Sequence, residues 1–214
     1  MAKTDDLIDG LARGLQPIRP HALLRLLTKA LLPGVLLSGA FILFLHGLRP
    51  DIASAMSLPA FWVKSFYPLA LAINGICAVL IVARPGGLPK SAGFASIGIY
   101  MLVAMLGLWQ LHASPPMDYP KLIFGVSYWF CPLIIVASAA PVFAANIWFL
   151  RRCAPTRYRL AGFTAGMMAG AIGAWTYSWA CIENGLPFVA LWYSLGIVLC
   201  GLIGVALGPR LLRW

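Results

Sequence analysis

The chain has 214 residues, of which 61% are hydrophobic and only 10% charged, with a mean hydropathy of +0.87. A water-soluble domain of that length needs more charge to stay in solution, so the soluble globular classes are excluded. The net charge of +10 reads as an anchor against anionic lipid heads rather than as a footprint for nucleic acid, and no direct nucleic-acid contact is expected.

Residues 1–27 form the one sizeable stretch outside the apolar blocks. Thr4 is suited to cap a helix, and Asp5 and Asp6 fall in the first turn, where the helix dipole favours negative charge. Leu7, Leu11 and Leu15 recur at i, i+4 and i+8, with Ile8 beside them, and Pro17 ends the stripe. Asp9 and Arg13 occupy the remaining surface. So short a helix is marginal alone and needs a surface to dock on. Lipid is one candidate. The three aspartates favour a protein groove instead, because interfacial helices carry Lys and Arg on their polar face.

Six apolar blocks follow, at roughly 28–46, 66–83, 93–111, 129–150, 160–179 and 188–208, each about as long as a bilayer crossing requires. Period-2 alternation is missing, so they are helices and not barrel strands. The expected fold is an all-α polytopic membrane protein with six transmembrane helices (residues 28–214), preceded by an extramembrane segment (1–27). With the N-terminus inside, Lys3, Arg13, Arg19, Arg25, Lys29, Arg84, Lys90, Arg151, Arg152, Arg157, Arg159, Arg210 and Arg213 share its side. Arg49, Lys64 and Lys121 alone lie opposite, so both termini are expected to be cytoplasmic. The first span lacks a cleavage site and is expected to be retained. Gly162, Gly166 and Gly170 in the fifth block, with Gly204 and Gly208 in the sixth, predict close helix packing within the bundle.

Function has few places to reside. No Walker loop, HExxH, CxxC or serine elbow is present, so no enzyme is expected. Buried acidic residues that would mark an ion pathway are also missing from the spans. Cys77 and Cys200 fall within spans as packing residues. Cys153 lies among Arg151, Arg152 and Arg157, which could lower its pKa, but an ordinary loop thiol is the simpler reading. Cys131, at the end of the fourth span, and Cys181, in the loop before the sixth, share the other side. Two such thiols form a disulfide, share a soft metal ion, or sit there by chance. Glu183, the one glutamate, is either a solvated loop charge or a metal or proton ligand, which makes Cys131, Cys181 and Glu183 a hypothetical metal set. No resident cofactor is expected beyond a transient heavy-metal ion.

Two stretches carry a family resemblance. The opening Asp5-Asp6-Leu7-Ile8, Leu11-Ala12-Arg13 and Leu15-Gln16-Pro17-Ile18-Arg19-Pro20 is the first. The closing Cys181-Ile182-Glu183, Pro187, Ala190-Leu191-Trp192-Tyr193-Ser194-Leu195-Gly196 and Gly208-Pro209-Arg210-Leu211-Leu212-Arg213-Trp214 is the second. Together they resemble the NrsF family, negative regulators of sigma F, which are six-span membrane anti-sigma factors of proteobacteria. The resemblance implies a multi-pass protein of the bacterial inner membrane. Its cytoplasmic N-terminal segment would hold an extracytoplasmic-function (ECF) sigma factor, with Asp5, Asp6, Leu7, Leu11 and Leu15 in the contact. It also implies a periplasmic signal pair, Cys131 and Cys181, that answers metal or oxidant stress. Partners are then the sigma factor and membrane lipid. Rival readings are a membrane thiol oxidoreductase and a small-solute transporter.

Overall fold

The computed structural model describes residues 21–213 together with Gly10. Over these residues the chain is helical. The long helices are α1 (Ala22–Leu45), α3 (Pro59–Val82), α4 (Lys90–His112), α6 (Phe130–Arg151), α7 (Tyr158–Ser178) and α8 (Leu186–Leu211). Short α2 (Ile52–Ala55) bridges α1 to α3, and a 3-10 turn with α5 (Tyr119–Phe124) bridges α4 to α6. The helices run up and down, so one end of the bundle gathers Arg25, Lys29, Arg84, Lys90, Arg151, Arg152, Arg157, Arg159, Arg210 and Arg213. This is called the basic end below. The opposite end carries Cys131 and Cys181 and is called the sulfur end.

Five helices, not the six expected, are long and apolar enough to cross a membrane: α1, α3, α4, α6 and α8. The exception is α7, and its position explains why. Fifteen of its 21 residues are buried, because α8, α3, α6 and α1 surround it. A helix wrapped by protein needs small side chains for close approach rather than large apolar ones for lipid, and α7 is built from Gly, Ala, Thr and Ser. Its Gly162 and Gly166 lie directly against the backbone of Gly204 and Cys200 on α8, so the glycine spacing serves packing within the chain.

The outer surface is the converse. Leu32, Leu36, Phe44, Phe94, Met105, Leu108, Trp109 and Leu133 are exposed, a belt suited to a hydrocarbon environment and not to water. On α1 the buried positions Leu27, Ala30, Leu31, Gly34, Ser38 and Ile42 form a stripe at helical spacing, yet the opposite face is equally apolar. Lipid gives little driving force for helices to associate, so shape and hydrogen bonds matter more. Three such bonds join helices: Ser38 with Thr176 at 3.1 Å, Tyr67 with Ser194 at 2.6 Å, and Asn74 Nδ2 donating to Ser96 Oγ at 2.7 Å. Each contributes on the order of 0.6 kcal/mol.

The second expected block also moves. It was placed at 66–83, whereas α3 starts seven residues earlier, with Pro59 in its first turn. Proline is well tolerated there because its missing N–H has no intrahelical partner anyway. The consequence is that Lys64, expected among loop charges, lies inside a helix and is buried.

Candidate functional site

At the sulfur end the loop between α7 and α8, residues 179–185, crosses over the bundle and is held by two cations. Lys64 of α3 is 1% exposed, and its Nζ donates to the carbonyl oxygens of Cys181 at 2.6 Å and Glu183 at 2.8 Å. Arg49, just beyond α1 and also buried, donates to Asn184 Oδ1 at 2.8 Å and to the Cys181 carbonyl at 3.5 Å. Its other side is forked onto Asp51, with Nη2 at 2.8 Å from Oδ2. The sequence reading took both cations for simple topological charges. No local pattern announces them, because their partners lie more than a hundred residues along the chain.

Glu183 is not a solvated loop charge. It is buried, and its Oε1 accepts from the Val126 N–H at 2.7 Å and the Ser127 hydroxyl at 3.2 Å. The carboxylate fills the space where a side chain at residue 125 would stand, and Gly125 has φ of +56°. Both facts require glycine there. Glu183 thereby fastens the loop before α6, which carries Cys131, to the loop that carries Cys181. Beside it opens a cavity of about 360 Å³, with Gln110, Asp118, Lys121 and Asn184 in its wall.

Cys131 and Cys181 are both free and buried, at 0% and 3% exposure, and lie close enough to feel each other's charge. Tyr177 and Tyr193, whose rings lie 5.9 Å apart, line the same chamber and face Cys181. The Tyr193 hydroxyl is fully buried and has no hydrogen-bond partner. A π turn at Val189–Tyr193 opens α8 at this point, a widening often found where a helix serves a site. The structure thus brings the sequence-predicted Cys131 and Cys181 into one chamber. Among the described residues no group of three His, Cys, Asp or Glu side chains is placed to hold a metal ion, since the Glu183 carboxylate is turned to Val126 and Ser127.

The other cysteines stand apart. Cys77 is exposed on the outer face, and Cys200 is buried against the glycines of α7. Cys153, half-buried between α6 and α7, has its thiol pushed up by burial, which offsets the arginines nearby and makes it unreactive. Asp5, Asp6, Leu7, Leu11 and Leu15 lie outside the described residues.

The Arg49–Asp51 pair sets a pH window. The hydrogen bond from Arg49 holds the Asp51 carboxyl below its ordinary 3.8, and Asp51 in turn raises Arg49. A carboxyl depressed by folding contributes stability above its unfolded value and loses it as pH falls through the folded one. Asp51→Asn is therefore expected to lower the melting temperature equally at pH 5 and pH 8. The gap from the unsubstituted chain should close only below the ordinary aspartate range. A gap that already shrinks between pH 8 and pH 5 would contradict this assignment.

Comparison with known proteins bears on what such a chamber serves. The family described as NrsF, negative regulator of sigma F, matches residues 11–214. A probable anti-sigma-F factor NrsF of Azospira oryzae is 40% identical over 219 residues, covering 99% of this chain and 100% of the relative. An anti-sigma-F factor NrsF of Caulobacter vibrioides is 39% identical over the same coverage. No solved structure matches. The family is regulatory and non-enzymatic, which sets aside the oxidoreductase reading. With a match over nearly its full length, this chain belongs to the NrsF family of anti-sigma factors, the negative regulators of sigma F.

Proposed function

We propose that the chain is an inner-membrane anti-sigma factor that sequesters an ECF sigma factor through residues 1–27 and releases it when Cys131 and Cys181 are modified from the periplasm. In this reading both termini are cytoplasmic and α7 crosses the membrane within the ring of the other five helices. The observation that carries the proposal is the opposition of the two ends. The sulfur pair lies at one end, and α1 begins at Ala22 at the other, among ten basic residues. A cationic end favours the cytoplasmic side. A segment ahead of Ala22 then enters from the compartment where sigma factors work.

Leu7, Leu11 and Leu15 would lie in a groove of the sigma factor, and Asp5, Asp6 and Asp9 would oppose its basic surfaces, giving specificity and a fast encounter. Oxidants that modify the thiols, or a soft metal ion shared between them, are the signals that sulfur chemistry accommodates at such a site.

Leu11→Asp in the full-length chain is expected to abolish co-purification of the sigma factor and to switch on its regulon without stress. Unchanged capture by that variant would overturn the groove. Labelling of intact cells with an impermeant maleimide tests the sidedness: a probe cysteine at position 121 should react from outside, and one at position 84 should not.

A further inference from the structure

The buried cation at the centre of the chamber has no anion of its own. Lys64 is 1% exposed, and among the described residues the one ion pair is Arg49–Asp51. Two carbonyl oxygens take two of the three ammonium N–H bonds. A buried ammonium without a counter-charge costs several kcal/mol, so the site is incomplete as an electrostatic unit. The charged or titratable groups facing it are Arg49 and Asp51 from the α1–α3 connection and Glu183 from the α7–α8 loop. Cys131 on α6 and Cys181 in the loop complete the set, with Tyr177 and Tyr193 on α7 and α8 behind them. Asp51 is engaged by Arg49, and Glu183 by Val126 and Ser127. That leaves the sulfurs. A second unused donor points the same way, for the orphan hydroxyl of Tyr193 faces Cys181.

We propose that Lys64 is the counter-cation of the sulfur pair: it stabilises negative charge on Cys131 or Cys181 and, once that charge forms, moves from the loop carbonyls to sulfur. The step breaks one S–H bond, leaves the electron pair on sulfur and hands the proton to a base in the surrounding water. No electrons change hands. Anionic sulfur is the form that attacks oxidants and binds soft metals, so Lys64 sets how readily the pair reacts. Its departure also frees the carbonyls of Cys181 and Glu183, which loosens the loop joining α7 to α8. Lys64 is thus a positioning residue that links thiol chemistry to helix packing. Its consequence for sigma release rests on the sensing role proposed above, whereas its effect on thiol reactivity does not.

The test uses the full-length protein in lipid nanodiscs, with alkylation by iodoacetamide at pH 7.5 followed residue by residue by mass spectrometry. Lys64→Gln keeps hydrogen-bond donors for the carbonyls but removes the charge. It should slow alkylation of the faster of Cys131 and Cys181 by about tenfold while leaving Cys153 unchanged, and Lys64→Arg should restore the rate to within about threefold. A lysine that only clamps the loop gives the opposite sign, because slackening the loop exposes both thiols. Rates in Lys64→Gln that stay level or rise overturn the proposal. Should Lys64→Gln not assemble, the unsubstituted protein answers through the Lys64 ¹⁵Nζ resonance. That resonance should shift with pH at the midpoint of the alkylation rate and lose the shift in Cys131→Ser/Cys181→Ser; a resonance alike in both proteins overturns the proposal. Sigma release in the cysteine double variant fails or succeeds separately from either result.

Discussion

Gly166→Leu is expected to disassemble the bundle. A Cβ at this position would run into the Cys200 carbonyl oxygen of α8, a backbone atom that no rotamer change can move aside. The neighbouring contacts cannot compensate, because Gly162 sits equally close to Gly204 and Gly208 nearly touches the Tyr158 carbonyl. Separating α7 from α8 enough for one leucine therefore breaks the whole crossing. Overpacking of an ordinary core costs about 1–3 kcal/mol, and a clash against main chain falls at or beyond the upper end. At about 3 kcal/mol the melting temperature of a chain this size falls by roughly 6–12 °C. Because α7 also carries the packing of α3, α6 and α1, monodispersity in mild detergent should go with it. Gly98→Ala on α4 is the control: nothing lies within 4 Å of the added carbon, and alanine favours the helix by about 0.5–1 kcal/mol. If Gly166→Leu melts like Gly98→Ala, the α7–α8 crossing is not the keystone described here.

Replacing Cys131 and Cys181 together by serine should abolish release of the sigma factor under thiol-oxidising or soft-metal stress while leaving sequestration at rest intact. Serine occupies nearly the same volume, so the chamber and its clamps from Lys64, Arg49 and Glu183 are retained. The magnitudes also indicate which chemistry drives the switch. Moving a two-state bundle from 1:99 to 99:1 takes about 5.5 kcal/mol of differential binding. One disulfide typically supplies about 2–4 kcal/mol, enough for a partial shift. Thiolate coordination of a metal is stronger, on the order of 10–16 kcal/mol for structural zinc in small peptides. Thiol oxidation therefore suffices if the bundle is poised near balance, and metal ligation suffices from further away. The readout is sigma-dependent transcription before and after stress, with Cys77→Ser/Cys153→Ser as the matched control. A normal response in the Cys131→Ser/Cys181→Ser strain would remove the sulfur pair from the mechanism.

How the candidate site could be read in advance differs from residue to residue. Cys131 and Cys181 were legible because alternating spans place the start of one helix and the end of another on the same side, whatever the packing. Glu183 stood out by being the only glutamate, but its partners did not. The N–H of Val126 and the hydroxyl of Ser127 come from a loop more than fifty residues earlier. Arg49 and Lys64 were counted as charges that orient the chain, which obscured that both are buried against the loop that carries Cys181.

The linear chain was sufficient for everything that depends on local composition. Helices rather than strands, the approximate positions of the apolar blocks, the gathering of basic residues at one end and the use of small residues between α7 and α8 all follow from the run of residue types and the helical repeat. The fold had to supply what depends on which face meets which. In α1 the buried and lipid-exposed faces are both leucine-rich, so periodicity carries no direction. The central place of α7, and the chamber where Lys64, Arg49, Glu183 and the two thiols converge, arise from contacts across 50 to 140 residues of chain. A hydrocarbon solvent removes the polar-out, apolar-in contrast by which a sequence ordinarily announces its core.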